Sequence, residues 1–235
     1  MQEENIQLIE AIDAILQTKA EALDIMTKRL LLLSRHSAFS LLCASISIPR
    51  LIYFLSCSPT WRRMSLLEKY DIMLKSSLES ILNISLSRDA WLQSFLPVKM
   101  GGLGIDTLLT WLPPDIFFNT TTIIAEAQKF WETSCHAEEI LAGSVCCIQS
   151  VWEASVNQHT LFDLTISTNT AEDKARVLAA TSGSWLNALP SPQLGTHMSG
   201  ETFRTSVAIR LGADVSQPHR CPCDAAVSAN GLPVN

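Results

Sequence analysis

No apolar run in this chain is long enough to cross a membrane. The most apolar stretch lies between Arg35 and Arg62, and Pro49-Arg50 splits it. Each half falls short of the ~20 residues that a spanning helix needs. Charge is scarce, at 17% of residues, against 47% hydrophobic, which argues for a packed core and against disorder. The amino terminus, MQEENIQLIE, is acidic and lacks the basic start and apolar stretch of a secretory signal. The chain therefore reads as intracellular, nuclear or cytoplasmic, with no membrane partner. A disulfide framework is missing too. The seven cysteines, at 43, 57, 135, 146, 147, 221 and 223, are odd in number and scattered. Cys43, Cys57, Cys146 and Cys147 read as buried thiols that behave as small hydrophobes.

Catalytic sets are equally absent. No Gly-x-Ser-x-Gly elbow occurs. Gly101-Gly102-Leu103-Gly104 has neither the spacing of a dinucleotide fingerprint nor a following Lys-Ser/Thr, so it marks a tight turn. His136-Ala137-Glu138 copies the His-x-Glu of zinc nucleobase deaminases. That chemistry also needs Pro-Cys-x-x-Cys, and Cys146 and Cys147 are adjacent. Consecutive helix positions point about 100° apart and do not readily close one tetrahedron. Cys135 and His136, also neighbours, do not face each other as a nucleophile and base. Pro114-Asp115 and Glu172-Asp173-Lys174 lie too far apart for a metal-dependent nuclease pattern. Catalytic residues: none.

What remains is helix. Ile6, Ile9, Ile12, Leu16, Leu23, Met26, Leu30 and Leu33, with Ala20 between, recur at steps of three and four and predict one long amphipathic helix. Another stretch begins after Ser37 and is kinked or restarted at Pro49. A helix from Thr60 to Ile84 turns Leu67, Tyr70, Met73, Leu74, Leu78 and Ile81 inward. Ser87 caps a short helix carrying Trp91 and Phe95, stopped by Pro97. Helical pattern resumes after Pro114 to about Trp131 and from His136 to Ile148. Residues 153–169 are polar and aperiodic and read as a linker or long loop. Thr170-Ala171-Glu172-Asp173 opens a helix through Ala180, stopped at Gly183. Pro190, Pro192 and Gly195 make a rigid connection. Ser199 caps a last helix with Phe203, Val207 and Leu211 inward and Gly212 beyond its end. The tail after Pro218 has little to pack. The expected fold is mainly α: a multi-helix assembly with a short Gly-rich turn or hairpin near 97–106. Its regions run 1–96, 97–152 (a second helical segment), 153–169, 170–213 and a 214–235 tail.

Charge is uneven along this frame. Lys28, Arg29, Arg35, Arg50, Arg62 and Arg63 lie in a segment without a single acid, so +6 is concentrated there and −12 elsewhere. Such a stripe suits a phosphate backbone; a solvated helix face is the bland alternative. In the tail, His219, Cys221 and Cys223 supply three zinc-type donors within five residues. A closed structural site needs four, and no Cys or His follows Cys223.

Several segments, in order through most of the chain, resemble the carboxy-terminal half of a non-LTR retrotransposon reverse transcriptase. They are Ser47-Ile48-Pro49-Arg50-Leu51-Ile52-Tyr53 with Ser58-Pro59; Leu96-Pro97 with Gly101-Gly102-Leu103-Gly104-Ile105; Ser182 to Ser191 (SGSWLNALPS) with Leu194-Gly195; and Phe203-Arg204, Val207-Ala208 and Arg210-Leu211-Gly212 leading into His219-Arg220-Cys221-Pro222-Cys223. The resemblance implies a thumb-like region over 1–96, helices after it, and RNA or RNA–DNA duplex as the partner of the basic stripe. It also implies departures. The family's polymerase holds two magnesium ions on adjacent aspartates, and this sequence contains no Asp-Asp. The family's cysteine motif continues with glycine, histidine and a further cysteine; here Asp224 and Pro233 stand in the first two places and the sequence stops at Asn235. The expectation is a non-catalytic remnant of an RNA-directed DNA polymerase, with no cofactor and a truncated zinc-like element. The alternative is a helical interaction or scaffold protein. Thumb-like helices without the palm they evolved against expose apolar surface and self-associate.

Overall fold

The three-and-four spacing of the first thirty residues becomes α1 (Gln2–Leu30). Its stripe of Ile12, Leu16, Ala20, Leu23 and Leu30 is buried. Ile9 and Met26 are half-buried, and the side chain of Ile6 lies outside those described. The helix ends earlier than expected, and Leu33, beyond its last turn, is 47% exposed. This computed structural model describes residues 2–46, 51, 54–55, 58, 60–105, 149–168, 170–179, 183–222 and 226–229. Among them stand seven α-helices and one two-stranded ladder, a mainly α multi-helix assembly. No described helix is long and apolar enough to cross a membrane.

α2 (Arg35–Leu41) begins before the expected position. Ser34 is its cap, accepting from the Ser37 N–H, so Ser37 lies inside the first turn. The helix widens into a π turn over Leu42–Ile46, and the expected restart at Pro49 lies outside the described residues. Cys43 is half-buried, not buried; the thiols at 57, 146 and 147 lie outside the described residues. A 3-10 turn at Thr60–Arg63 leads into α3 (Met64–Leu82), with Leu67, Tyr70, Leu74, Leu78 and Ile81 buried as the period requires. Asn83, at φ 52°, closes α3 in the left-handed region. α1 and α3 pack along their lengths. Each buried leucine in that seam contributes roughly 1.5–3 kcal/mol. A polar tie crosses it: Thr27 Oγ1 donates to Ser77 Oγ at 2.8 Å.

α4 (Arg88–Phe95) is capped by Ser87, whose Oγ accepts from the Ala90 N–H. Trp91 and Phe95 meet edge to face at 4.5 Å. A 3-10 turn at Val98–Met100 follows, then the Gly-rich turn, with Gly101 at φ 97° and Gly104 at φ 67°. A Cβ on Gly102 would sit 1.9 Å from the Leu96 carbonyl oxygen, so no other residue fits. It is a turn, not a hairpin. The described strands lie in the tail: β1 (His219–Arg220) pairs antiparallel with β2 (Ala226–Val227). The Val215 N–H donates to the Ala229 carbonyl at 2.8 Å and ties the ladder back. The described part of the tail is thus held by backbone hydrogen bonds despite its sparse apolar content.

The helices expected after Pro114 and from His136 lie outside the described residues. The linker expected at 153–169 is corrected: α5 (Gln149–Ser167) is a continuous helix packed on α4. Its inward face carries Asn157 and Leu164, both buried, with Thr160 and Leu161 half-buried. These positions do recur at helical steps. Asparagine and threonine stand where the period needs apolar residues, and that hides it. α6 (Ala171–Ala179) has the expected cap, Thr170 Oγ1 accepting from the Asp173 N–H. A 3-10 turn at Ser184–Asn187 precedes α7 (Gly200–Leu211), capped by Ser199 and closed by Gly212 at φ 68°. Phe203 on α7 is fully buried, stacked on His36 and met edge-on by Trp185. Buried residues from Ile12 to Ala213 form a single cluster, so the regions expected at 1–96 and 170–213 share one core.

Candidate nucleic-acid interface

A phosphate-binding stripe must present several cations without internal partners on one surface. Lys28 and Arg29 occupy the last turn of α1, where the helix dipole favours them. Lys28 Nζ reaches Asp24 Oδ2 at 2.6 Å. Arg35 is ion-paired with Glu201 of α7. Arg63 grips Asp13 with both Nε and Nη2 at 2.5 Å, fixing the 3-10 turn to the flank of α1. Arg29, exposed, is the described side chain of the stripe with no ion pair. Arg50 and the side chain of Arg62 lie outside those described. Asp13 and Lys28 are fifteen residues apart on one helix, roughly 22 Å. That exceeds a Debye length of about 8 Å at physiological salt. Arg63, held on Asp13, therefore stands apart from Lys28 and Arg29 at the far end of α1.

In the tail, His219 is exposed and its Nδ1 lies 3.1 Å from the Gln217 carbonyl. A carbonyl only accepts, so this contact leaves Nε2 free to ligate. Cys221 is half-buried, and Cys223 lies outside the described residues. Among the described residues no three His, Cys, Asp or Glu side chains gather as a metal group.

Two clusters escape sequence reasoning. The first surrounds the Gly-rich turn. Arg210 of α7 is buried, and burial lowers the pKa of its guanidinium. Its Nε donates to the Gly102 carbonyl at 3.0 Å and its Nη2 to the Val98 carbonyl at 2.6 Å. Gln93 Nε2 donates to the Gly101 and Arg210 carbonyls. Arg176 Nη1 donates to Gln93 Oε1 at 2.8 Å and to the Arg210 carbonyl at 2.6 Å, while its Nε leans on Asp173. The cluster's donors are directed at backbone carbonyls, the Gln93 amide oxygen and the Asp173 carboxylate. It is a polar brace joining α4, α6, α7 and the turn.

The second cluster joins α2 to the segment before α7. His36 is buried, and its Nδ1 accepts from the Met198 N–H at 3.1 Å. Ser34 Oγ lies 2.9 Å from His197 Nε2. A serine beside a histidine suggests a nucleophile and its base. Here the hydroxyl also caps α2, accepting from the Ser37 N–H. The only warning in the sequence was that Gln93 and Arg210 fall on inward helical positions, where a polar residue must find buried partners.

Comparison with protein-family models, with curated proteins and with solved structures returns no match.

Proposed function

We propose that this chain is a non-catalytic helical remnant of the thumb and downstream region of a non-LTR retrotransposon reverse transcriptase, working in the nucleus or cytoplasm. One observation supports the reading above the rest. Three segments that carry the resemblance, 96–105, 183–190 and 203–212, meet at the Arg210 brace, the first of them far from the other two in sequence. Val98 and Arg210 both crowd Gly183, and Arg210 bonds the turn at Gly102. Residues matched for one ancestral fold would be expected to converge in this way. Polymerase chemistry is not assigned to the chain, because the sequence has no adjacent aspartates for a metal pair.

Contact with RNA or RNA–DNA duplex, on this reading, is weak and rests on Arg29, Arg50 and Arg62. A salt titration of binding to a labelled RNA–DNA duplex tests it. Three phosphate contacts predict a log–log slope no steeper than roughly −3, reduced on Arg29→Ala and Arg62→Ala. No binding at low salt would end the nucleic-acid part. Magnesium-dependent primer extension by purified protein would end the non-catalytic part. The scaffold reading has its own support in exposed apolar side chains on α1.

A further inference from the structure

Arg62-Arg63-Met64-Ser65-Leu66 sets two arginines three and two residues before a serine, and an apolar residue directly after it. A protein kinase that selects basic substrates reads such a serine by charge. Carboxylates in its cleft take the two guanidiniums, and an apolar pocket takes the side chain that follows. Spacing alone does not make a site; the serine must also be within reach. Ser65 is exposed in the first turn of α3, on the outward face with Glu68 and Ile72, while Leu67, Tyr70 and Leu74 turn into the core. A kinase needs its acceptor extended, and this turn has little to hold it closed. Arg63 stands at the cap position and makes no side-chain cap bond, so the turn opens without losing one. The first turn also carries no acidic residue. A phosphate there supplies the negative charge that a helix start favours, with Lys69 one turn on.

We infer that Ser65 is a phosphoacceptor for an arginine-directed serine/threonine kinase, and that the Asp13–Arg63 clamp is its gate. Arg63 grips Asp13 through Nε and Nη2, each at 2.5 Å, with the two side chains 34% and 33% exposed. One guanidinium cannot serve Asp13 and a kinase carboxylate together, so the clamp must open before the serine is taken. Opening it also frees the 3-10 turn at Thr60–Arg63, which carries Arg62. The kinase then moves the γ-phosphoryl group of ATP to Ser65 Oγ. The bond from that phosphorus to the bridging oxygen breaks, the bond to Oγ forms, the hydroxyl proton passes to the kinase's aspartate, and ADP leaves. The inference stands apart from the ancestry proposed for the chain.

Incubating the full chain with ATP and the catalytic subunit of cyclic-AMP-dependent protein kinase, an arginine-directed enzyme, tests it. Peptide mass mapping should place phosphate on Ser65, and Ser65→Ala should lose it. Asp13→Asn should raise the initial rate roughly fivefold, because a partly buried charge pair no longer holds the arginine back. A synthetic peptide of residues 59–70 has no clamp and should be modified faster than the chain. Arg210→Lys weakens the fold far from the clamp, controls for general loosening, and should leave the rate as it is. If the peptide is modified and Ser65 of the full chain is not, the fold shields the serine and the site is overturned. An unmodified peptide overturns it as well, since the sequence itself is then not read. The gate is overturned if Asp13→Asn brings no acceleration, or if Arg210→Lys brings as much.

Discussion

The α1–α3 seam and the Arg210 brace hold the same molecule together by opposite means. In the seam, leucines and isoleucines at helical spacing exclude water, with the Thr27–Ser77 hydroxyl pair among them. Such contacts have no direction, so nearby shapes substitute for one another at modest cost. At the brace, Arg210 and Gln93 aim at carbonyls of the glycine turn, and Arg176 at Gln93 Oε1 and the Arg210 carbonyl, each bond between 2.6 and 3.0 Å. Buried polar groups must be paired, and one removed partner leaves another stranded. The seam supplies bulk stability; the brace specifies how the later helices and the turn meet the core.

The sharpest way to break that contrast is Gly102→Ala. A methyl 1.9 Å from the Leu96 carbonyl forces the turn open and separates Arg210 from its acceptors. A loss of about 4 kcal/mol or more is expected in urea unfolding. A loss under about 1 kcal/mol would show that the turn yields and the brace is not rigid. Next is Gln158→Pro, at an exposed position within α5. A proline inside a helix costs about 3 kcal/mol and reduces helical circular dichroism, whereas a linker would accept it. Two conservative exchanges then compare the regions directly. Arg210→Lys keeps the charge but loses the fork, leaving the Val98 or the Gly102 carbonyl unpaired at about 2 kcal/mol. Leu78→Met in the seam should cost under about 1.5 kcal/mol. Equal losses would erase the distinction.

Legibility divides along the same line. Periodicity reports apolar burial, so α1, α3 and their inward residues could be read from the order of side chains. Caps were legible for a local reason. Ser87, Thr170 and Ser199 each satisfy a backbone N–H three residues on, and that relation is written within a single turn. The sequence of α5 reads as a linker because Asn157 and Thr160 occupy positions on its inward face. Their burial depends on α4, which no local window contains. The Arg210 brace spans more than a hundred residues of sequence between Gly102 and Arg210, so neither partner announces the other. The basic stripe shows the converse. Its +6 was legible, but Asp13 lies fifty residues before Arg63 and Glu201 far beyond Arg35, so its internal pairing was not.

The smallest expected effect lies where the two regions adjoin, at His36. Burial, and secondarily the neighbouring His197, hold the His36 pKa below its ordinary value. The geometry agrees, since Nδ1 accepts from the Met198 N–H and a proton there would turn acceptor into donor. Other charges near the joint are Arg35, Glu201 and Arg204, already joined in ion pairs. The unfolded chain therefore binds this proton at a higher pH than the folded one, and stability must fall as pH drops. The loss begins as pH passes below about 6.5, the unfolded value, and levels off beneath the depressed folded value. Thermal melts across that range should give a shallow slope, flattened by His36→Gln, whose amide oxygen accepts the same N–H without titrating. His197→Asn should raise the lower edge of the window, and so narrow it, by removing the second cause. A slope unchanged by His36→Gln would assign the pH dependence to another group and leave His36 a neutral strut between α2 and α7.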